Sequence, residues 1–185
     1  MAAKYSAGVL GVSGDQTGHL MFRLTHGEMP RIHHPKVVVV LTGTNDIGYV
    51  SKVGGDTSAM AGTAETVVKR VAAIVQLLAH DLPGSQIVLL GLLPRGDRDA
   101  PDPYAQPSKY TAALDQINEG YRRIASKMQR VHFVDCGGPL LLMPDGARLD
   151  EIAMPDGLHP SATGYEELFA GCWDDAIARL VTGTG

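Results

Sequence analysis

Asp156 and His159 stand three residues apart in the turn Pro155-Asp156-Gly157-Leu158-His159-Pro160. A carboxylate at that spacing can hold an imidazole in one tautomer and stabilise its charged form, which is the supporting half of a Ser-His-Asp arrangement. Asn45 lies in Gly43-Thr44-Asn45-Asp46, directly after an apolar run. Its side-chain amide could donate to a developing oxyanion. The backbone N–H of Gly14, where a first short apolar run meets its helix, could supply a second donor. Each piece also has a plain structural use, since Asp-x-x-His turns cap backbone and asparagine after a strand makes turns.

These groups need a scaffold that brings residues 14, 45 and 156–159 to one edge. Val37 to Leu41 is apolar without alternation, the pattern of a strand buried on both faces of a parallel sheet. Shorter runs at Gly8 to Val12, Ile87 to Leu90 and Val131 to Asp135 read as further strands. Helical spacing appears over about 17–26, 63–80, 108–130 and 161–181, with Leu114, Ile117, Tyr121, Ile124 and Met128 sharing one face of the third. Residues 1–7 read as a loose end, and 47–62, rich in Gly, Ser and Thr, as a loose segment. Strands alternating with helices predict an α/β fold with a parallel sheet, in one domain spanning 1–185. In such sheets ligands bind beyond the carboxyl ends of the strands, where Asn45 falls.

Composition narrows the function. The net charge is −4, with no basic block, which argues against nucleic acid and anionic membranes as partners. No apolar run approaches the roughly 20 residues of a membrane span. No secretory signal pattern follows Met1, so an intracellular, cytoplasmic location is expected. Cys136 and Cys172 show neither metal spacing nor a disulfide framework and read as free, mostly buried thiols. His33-His34 could suggest a metal site, but adjacent histidines point apart and read better as a solvated loop. Arg95, after a strand end, could reach the pocket rim and an anionic substrate, or could pair with Asp97 or Asp99.

Taken together, the motifs resemble the SGNH, or GDSL-like, hydrolase family. Gly11-Val12-Ser13-Gly14-Asp15 matches its glycine block, Gly43-Thr44-Asn45-Asp46 its asparagine block, and Asp156-Gly157-Leu158-His159-Pro160 its terminal block. Within the family the chain is most similar to the platelet-activating-factor acetylhydrolase α-subunit-like esterases, through His19 to Leu24 with Gly27-Glu28, Pro35 to Val39, and Leu92 to Gly96. The resemblance implies a three-layer, flavodoxin-like parallel sheet and a small, short-acyl ester as substrate. It implies no cofactor and no metal. Gly14 N–H and the Asn45 side chain would be oxyanion donors, His159 the general base and Asp156 its orienting carboxylate.

The family's Gly-Asp-Ser block, which carries the nucleophile, finds no counterpart; only Met1 to Ala7 precede the glycine-block strand. The fold expected is therefore one lacking its first strand–helix unit, and the chain reads as a degenerate, non-catalytic subunit that binds other protein chains in a homo- or hetero-oligomer. Alternatively it is an active ester hydrolase whose nucleophile comes from Ser13, another chain or further sequence. Gly14-Asp15-Gln16 can also be laid on Gly-Asp-Ser, with a non-nucleophilic glutamine in the serine's place. Two arrangements of the sheet follow: the strand around Val9 pairs directly with that at Val37, or another chain inserts a strand between them.

Overall fold

The structure, a computed structural model, describes residues 2–182; the side chains of Ala2, Ala3 and Pro139 are not among what it describes. It opens with a short helix, α1 (Ala2–Tyr5), tied to the C-terminal helix where Lys4 and Tyr5 reach Asp174, the tyrosine hydroxyl at 2.6 Å. The N-terminal segment is thus anchored rather than loose, Met1 lying outside the described residues. Helix α2 (Thr17–Arg23) continues through a wide turn and stops at Gly27, whose φ of +116° suits glycine. Strand β1 (Val37–Val40) follows, then α3 (Thr44–Lys52), α4 (Thr57–Asp81) and β2 (Gln86–Leu90). The rest comprises α5 (Thr111–Ala125), β3 (Val131–Val134), α6 (Gly137–Leu141), α7 (Ala162–Leu168) and α8 (Asp174–Thr182), the last two joined by a wide helical turn.

The three strands form one parallel sheet in the order β1-β2-β3, with Val38 opposite Ile87 and Ile87 opposite Val131. Helices cover both faces. Ile87 and Leu89 pack under α4 and α5 with Val67, Val71, Ile74, Ile117 and Tyr121. Val88 and Leu90 pack on the other side with Leu141, Met154, Leu168, Trp173 and Ile177. This is the three-layer α/β arrangement that unbroken apolar strands demand.

Four expectations are corrected. The run at Gly8 to Val12 forms no strand, and Val9 is 81% exposed; glycines at 8 and 11 weaken it, and it has no neighbouring strand to complete a ladder. It does not pair with β1, which removes the contracted sheet. Second, β1 is an edge strand, with Val39 and Leu41 exposed, while the central strand β2 is buried on both faces. Third, residues 47–62 are mostly helical: Asp46 opens the first turn of α3, and the Asp56 side chain accepts the Ala59 N–H at 2.9 Å to start α4 six residues earlier than periodicity suggests. Fourth, Cys136 and Cys172, 36 residues apart, are disulfide-bonded with their Cα atoms 6.0 Å apart, where α6 packs beside the turn between α7 and α8. Among the described residues no helix is long and apolar enough to cross a membrane.

Candidate active site

The loop after β1 is shaped by a tyrosine from the far side of the core. Tyr121, fully buried on α5, donates its hydroxyl to the Thr42 carbonyl at 2.7 Å. Burial holds that phenol well above its ordinary pKa, so it remains a donor. The chain then turns at Gly43, with φ of +125°, where a Cβ would lie 2.7 Å from the Tyr121 hydroxyl. Only glycine fits both constraints. Helix α3 starts at once and holds Asn45 and Asp46 in its first turn. Sequence reading placed Tyr121 on a core face; its role at the loop carries no local signal.

Asp46, almost fully buried, accepts the backbone N–H of Thr17 at 2.9 Å and its hydroxyl at 2.7 Å. It thereby fixes the start of α2 beside α3. Asn45 Nδ2 donates to the Asp15 carbonyl at 2.9 Å. One of its two amide hydrogens is engaged there, leaving one for a ligand. Val12 to Asp15 form a turn closed by Asp15 N–H on the Val12 carbonyl at 3.2 Å, with Gly14 at φ +81°. Arg23 braces the same turn through the Asp15 carboxylate at 2.6 Å and the Leu10 carbonyl at 3.0 Å. The structure therefore brings Gly14 and Asn45 to one place, with the Gly14 N–H engaged by no group among the described residues. Ser13 sits exposed in that turn.

Asp156 and His159 form the second half. The His159 Nδ1 lies 2.8 Å from Asp156 Oδ2, and Asp156 Oδ1 accepts the N–H groups of Leu158 at 2.9 Å and His159 at 2.7 Å. Partial burial opposes ionisation of Asp156. The bonds from the His159 ring and the two N–H groups outweigh it and bring the pKa down to about 2. An ionised carboxylate assigns the hydrogen to Nδ1 and leaves the Nε2 lone pair free to act as base. The turn is held by the loop after β2: Gly96 N–H donates to Gly157 O at 2.7 Å, Tyr104 OH to Pro155 O at 2.7 Å, and Arg98 to the Asp156 carboxylate at 2.8 Å. His159 remains 69% exposed at its side chain.

The halves meet through Arg95. Its Nη1 donates to the Thr44 carbonyl at 3.1 Å, while its neighbour Gly96 holds the Asp156–His159 turn. Among the described residues no hydrogen bond joins His159 to Asn45 or Gly14, and no serine, threonine or cysteine donates to its Nε2. A separate pocket of about 360 Å³ at the ends of β2 and β3 is lined by Leu92, Gln106, Asn118 and Asp135, not by these four residues. His33 and His34 are exposed just before β1.

Comparison with known proteins bears on the family and the fold. A sequence profile of the GDSL-like lipase/acylhydrolase family matches residues 1–167. The human platelet-activating factor acetylhydrolase IB subunit alpha1 is 37% identical over 155 residues, covering 84% of this chain and 57% of the relative. The alpha2 subunit from Rattus norvegicus is 34% identical over 158 residues, covering 85% and 58%. The chain thus spans little more than half the length of these relatives. Among solved structures, a protein assigned as a GDSL-like lipase from Parabacteroides merdae superposes with a TM-score of 0.66 at 25% identity, over 90% of this chain and 70% of that one. A carbohydrate esterase of family 3 from Talaromyces cellulolyticus shares the fold, with a TM-score of 0.62 at 16% identity over 94% and 71%.

Proposed function

Because the chain belongs to the GDSL-like lipase/acylhydrolase family, we propose that it carries the base and oxyanion half of a short-acyl ester site and serves, as this chain alone, as a non-catalytic, protein-binding subunit. The observation that carries the reading is the Asp156–His159 pair, hydrogen-bonded at 2.8 Å with Asp156 held as the carboxylate, with no hydroxyl or thiol on Nε2 among the described residues. In a complete site His159 Nε2 would take the proton of an attacking hydroxyl. Asp156 would stabilise the resulting imidazolium. Gly14 N–H and the second Asn45 amide hydrogen would receive the oxyanion. With base and donors but no activated nucleophile, the acyl-enzyme route is closed. Binding to other chains draws support from the exposed outer edge of β1 and from relatives whose names describe them as subunits.

The intact Asp156–His159 pair favours a second reading, an active ester hydrolase in which a serine arrives on another chain or on further sequence. Ser13, in an exposed turn braced for backbone reasons, is the weaker source. A p-nitrophenyl acetate assay of the purified chain separates the two. Equal slow rates for wild type and His159→Ala support the non-catalytic reading. A wild-type rate that His159→Ala lowers a hundredfold or more would overturn it.

A further inference from the structure

The Asp156 carboxylate serves more than the histidine. Its Oδ1 accepts the N–H groups of Leu158 at 2.9 Å and His159 at 2.7 Å. Its Oδ2 meets two side chains, His159 through Nδ1 and Arg98 through Nη2, each at 2.8 Å. An ionised carboxylate has about four lone-pair sites, and these donors fill them. The oxygen that supports the imidazole is therefore shared with a permanent positive charge. Protonating His159 sets a second positive charge beside the Arg98 guanidinium. Asp156 favours that charge and Arg98 opposes it.

The loop after β2 delivers Arg98 to this place. Gly96 N–H donates to the Gly157 carbonyl at 2.7 Å, and Tyr104 OH to the Pro155 carbonyl at 2.7 Å, so the loop clasps the turn on both sides of Arg98. Arg98 Nε donates to the Asp156 carbonyl at 3.2 Å, which aims Nη2 at the side chain of the same residue. The acids flanking Arg98 do not neutralise it, because Lys109 holds Asp97 at 2.7 Å and Asp99 at 2.9 Å. Asp156 is thus the one carboxylate within ion-pair distance of Arg98 among the described residues. The loop's other cation, Arg95, feels the Asp156 charge from beyond that distance and donates to the Thr44 carbonyl at 3.1 Å.

We propose that Arg98 is a positioning residue that tempers His159 as a base: its guanidinium shares Asp156 Oδ2 with the ring, keeping the carboxylate aimed at Nδ1 while offsetting part of its charge. The inference rests on the reading of His159 as the base of this site and names what regulates its strength. A merely structural Arg98 would brace the turn and nothing more, and its loss would loosen the Asp156–His159 bond. The shared oxygen implies the opposite sign. Without the guanidinium, the whole carboxylate charge falls to the imidazole, which holds its second proton more tightly.

The test follows the carbon-bound ring protons of His159 by NMR as the full chain is titrated with acid, His159→Ala supplying the assignment. No ester is present, so the readout is independent of turnover. At low salt, Arg98→Gln is expected to raise the His159 titration midpoint by about half a pH unit, the scale of an exposed ion pair. The difference shrinks in about 0.5 M NaCl, which screens it. Arg98→Lys keeps the charge and stays close to wild type. Tyr104→Phe releases the same turn from the same loop without removing charge, and leaves the midpoint in place. A midpoint that Arg98→Gln leaves unchanged or lowers, or that Tyr104→Phe raises equally, would overturn the proposal. The Arg98 side chain is 67% exposed, so its replacement spares the core. Should Arg98→Gln fail to fold, Arg98→Met is read by the same criteria. Ester hydrolysis lost in His159→Ala would overturn the non-catalytic reading and leave these midpoints as they are.

Discussion

A histidine serves as a base only when its proton sits on the other nitrogen, and in the proposed reading Asp156, 2.8 Å from the His159 Nδ1, holds it there. Replacing Asp156 by Ala removes the acceptor for Nδ1 and for two backbone N–H groups. Long-range ¹H–¹⁵N NMR is expected to show Nδ1–H in wild type and a shift toward Nε2–H in Asp156→Ala. The pH dependence follows from the lowered carboxylate. Its folded value, about 2, lies below its ordinary 3.8, so its contribution is fully present above the ordinary value and fades as pH falls toward about 2. Urea denaturation of wild type and Asp156→Asn should therefore differ at neutral pH and converge across that window. The difference is small, because the side chain is 37% exposed and solvent screens it. Residue types at positions 14, 45, 156 and 159 pointed to this chemistry before any coordinates. Arg95 was different: sequence placed it after a strand, but only packing showed Lys109 claiming its two candidate partners.

At the scale of elements, the β1–α3 junction is the most demanding piece of the site. Tyr121→Phe is expected to cost about 1–3 kcal/mol in urea denaturation, because the Thr42 carbonyl is left buried without its donor. Gly43→Ala should cost at least as much, combining about 1–3 kcal/mol of backbone strain with a clash against the tyrosine hydroxyl. A Gly43→Ala protein as stable as wild type would show that the loop is not held as described. Strand β2, helix α5 and the C-terminal helices were legible because apolar periodicity reports burial directly. The helices over 44–62 were not: Gly, Ser and Thr dilute that periodicity, and what starts α4 is a single capping carboxylate, Asp56. The run at Val9 misled for the opposite reason. It has strand-like residues but no neighbour, and a strand exists only when paired.

At the scale of the molecule, the sheet is covered on both faces and has β1 and β3 as its edges. Alternation of strands and helices revealed the layers, and three motif blocks revealed the family. Neither could reveal that β1 is an edge strand and β2 the central one, because an apolar run looks the same beside one neighbour or two. The Cys136–Cys172 bond was equally hidden, since the two cysteines meet only once α6 packs near α7 and α8. In the unreduced, denatured chain a thiol reagent is expected to find no free cysteine, and two after reduction. Replacing both cysteines by Ser should lower stability by roughly 3–4 kcal/mol in the chain-entropy account, for a loop of this length.

The central proposal is that this chain holds a base and oxyanion donors with no nucleophile bonded to His159 among the described residues. Intact-mass analysis after treatment with a serine-reactive fluorophosphonate reads this most directly. The account predicts no adduct on the folded chain, in wild type and His159→Ala alike. A single stoichiometric adduct on wild type, absent from His159→Ala and mapped to one serine, would contradict it.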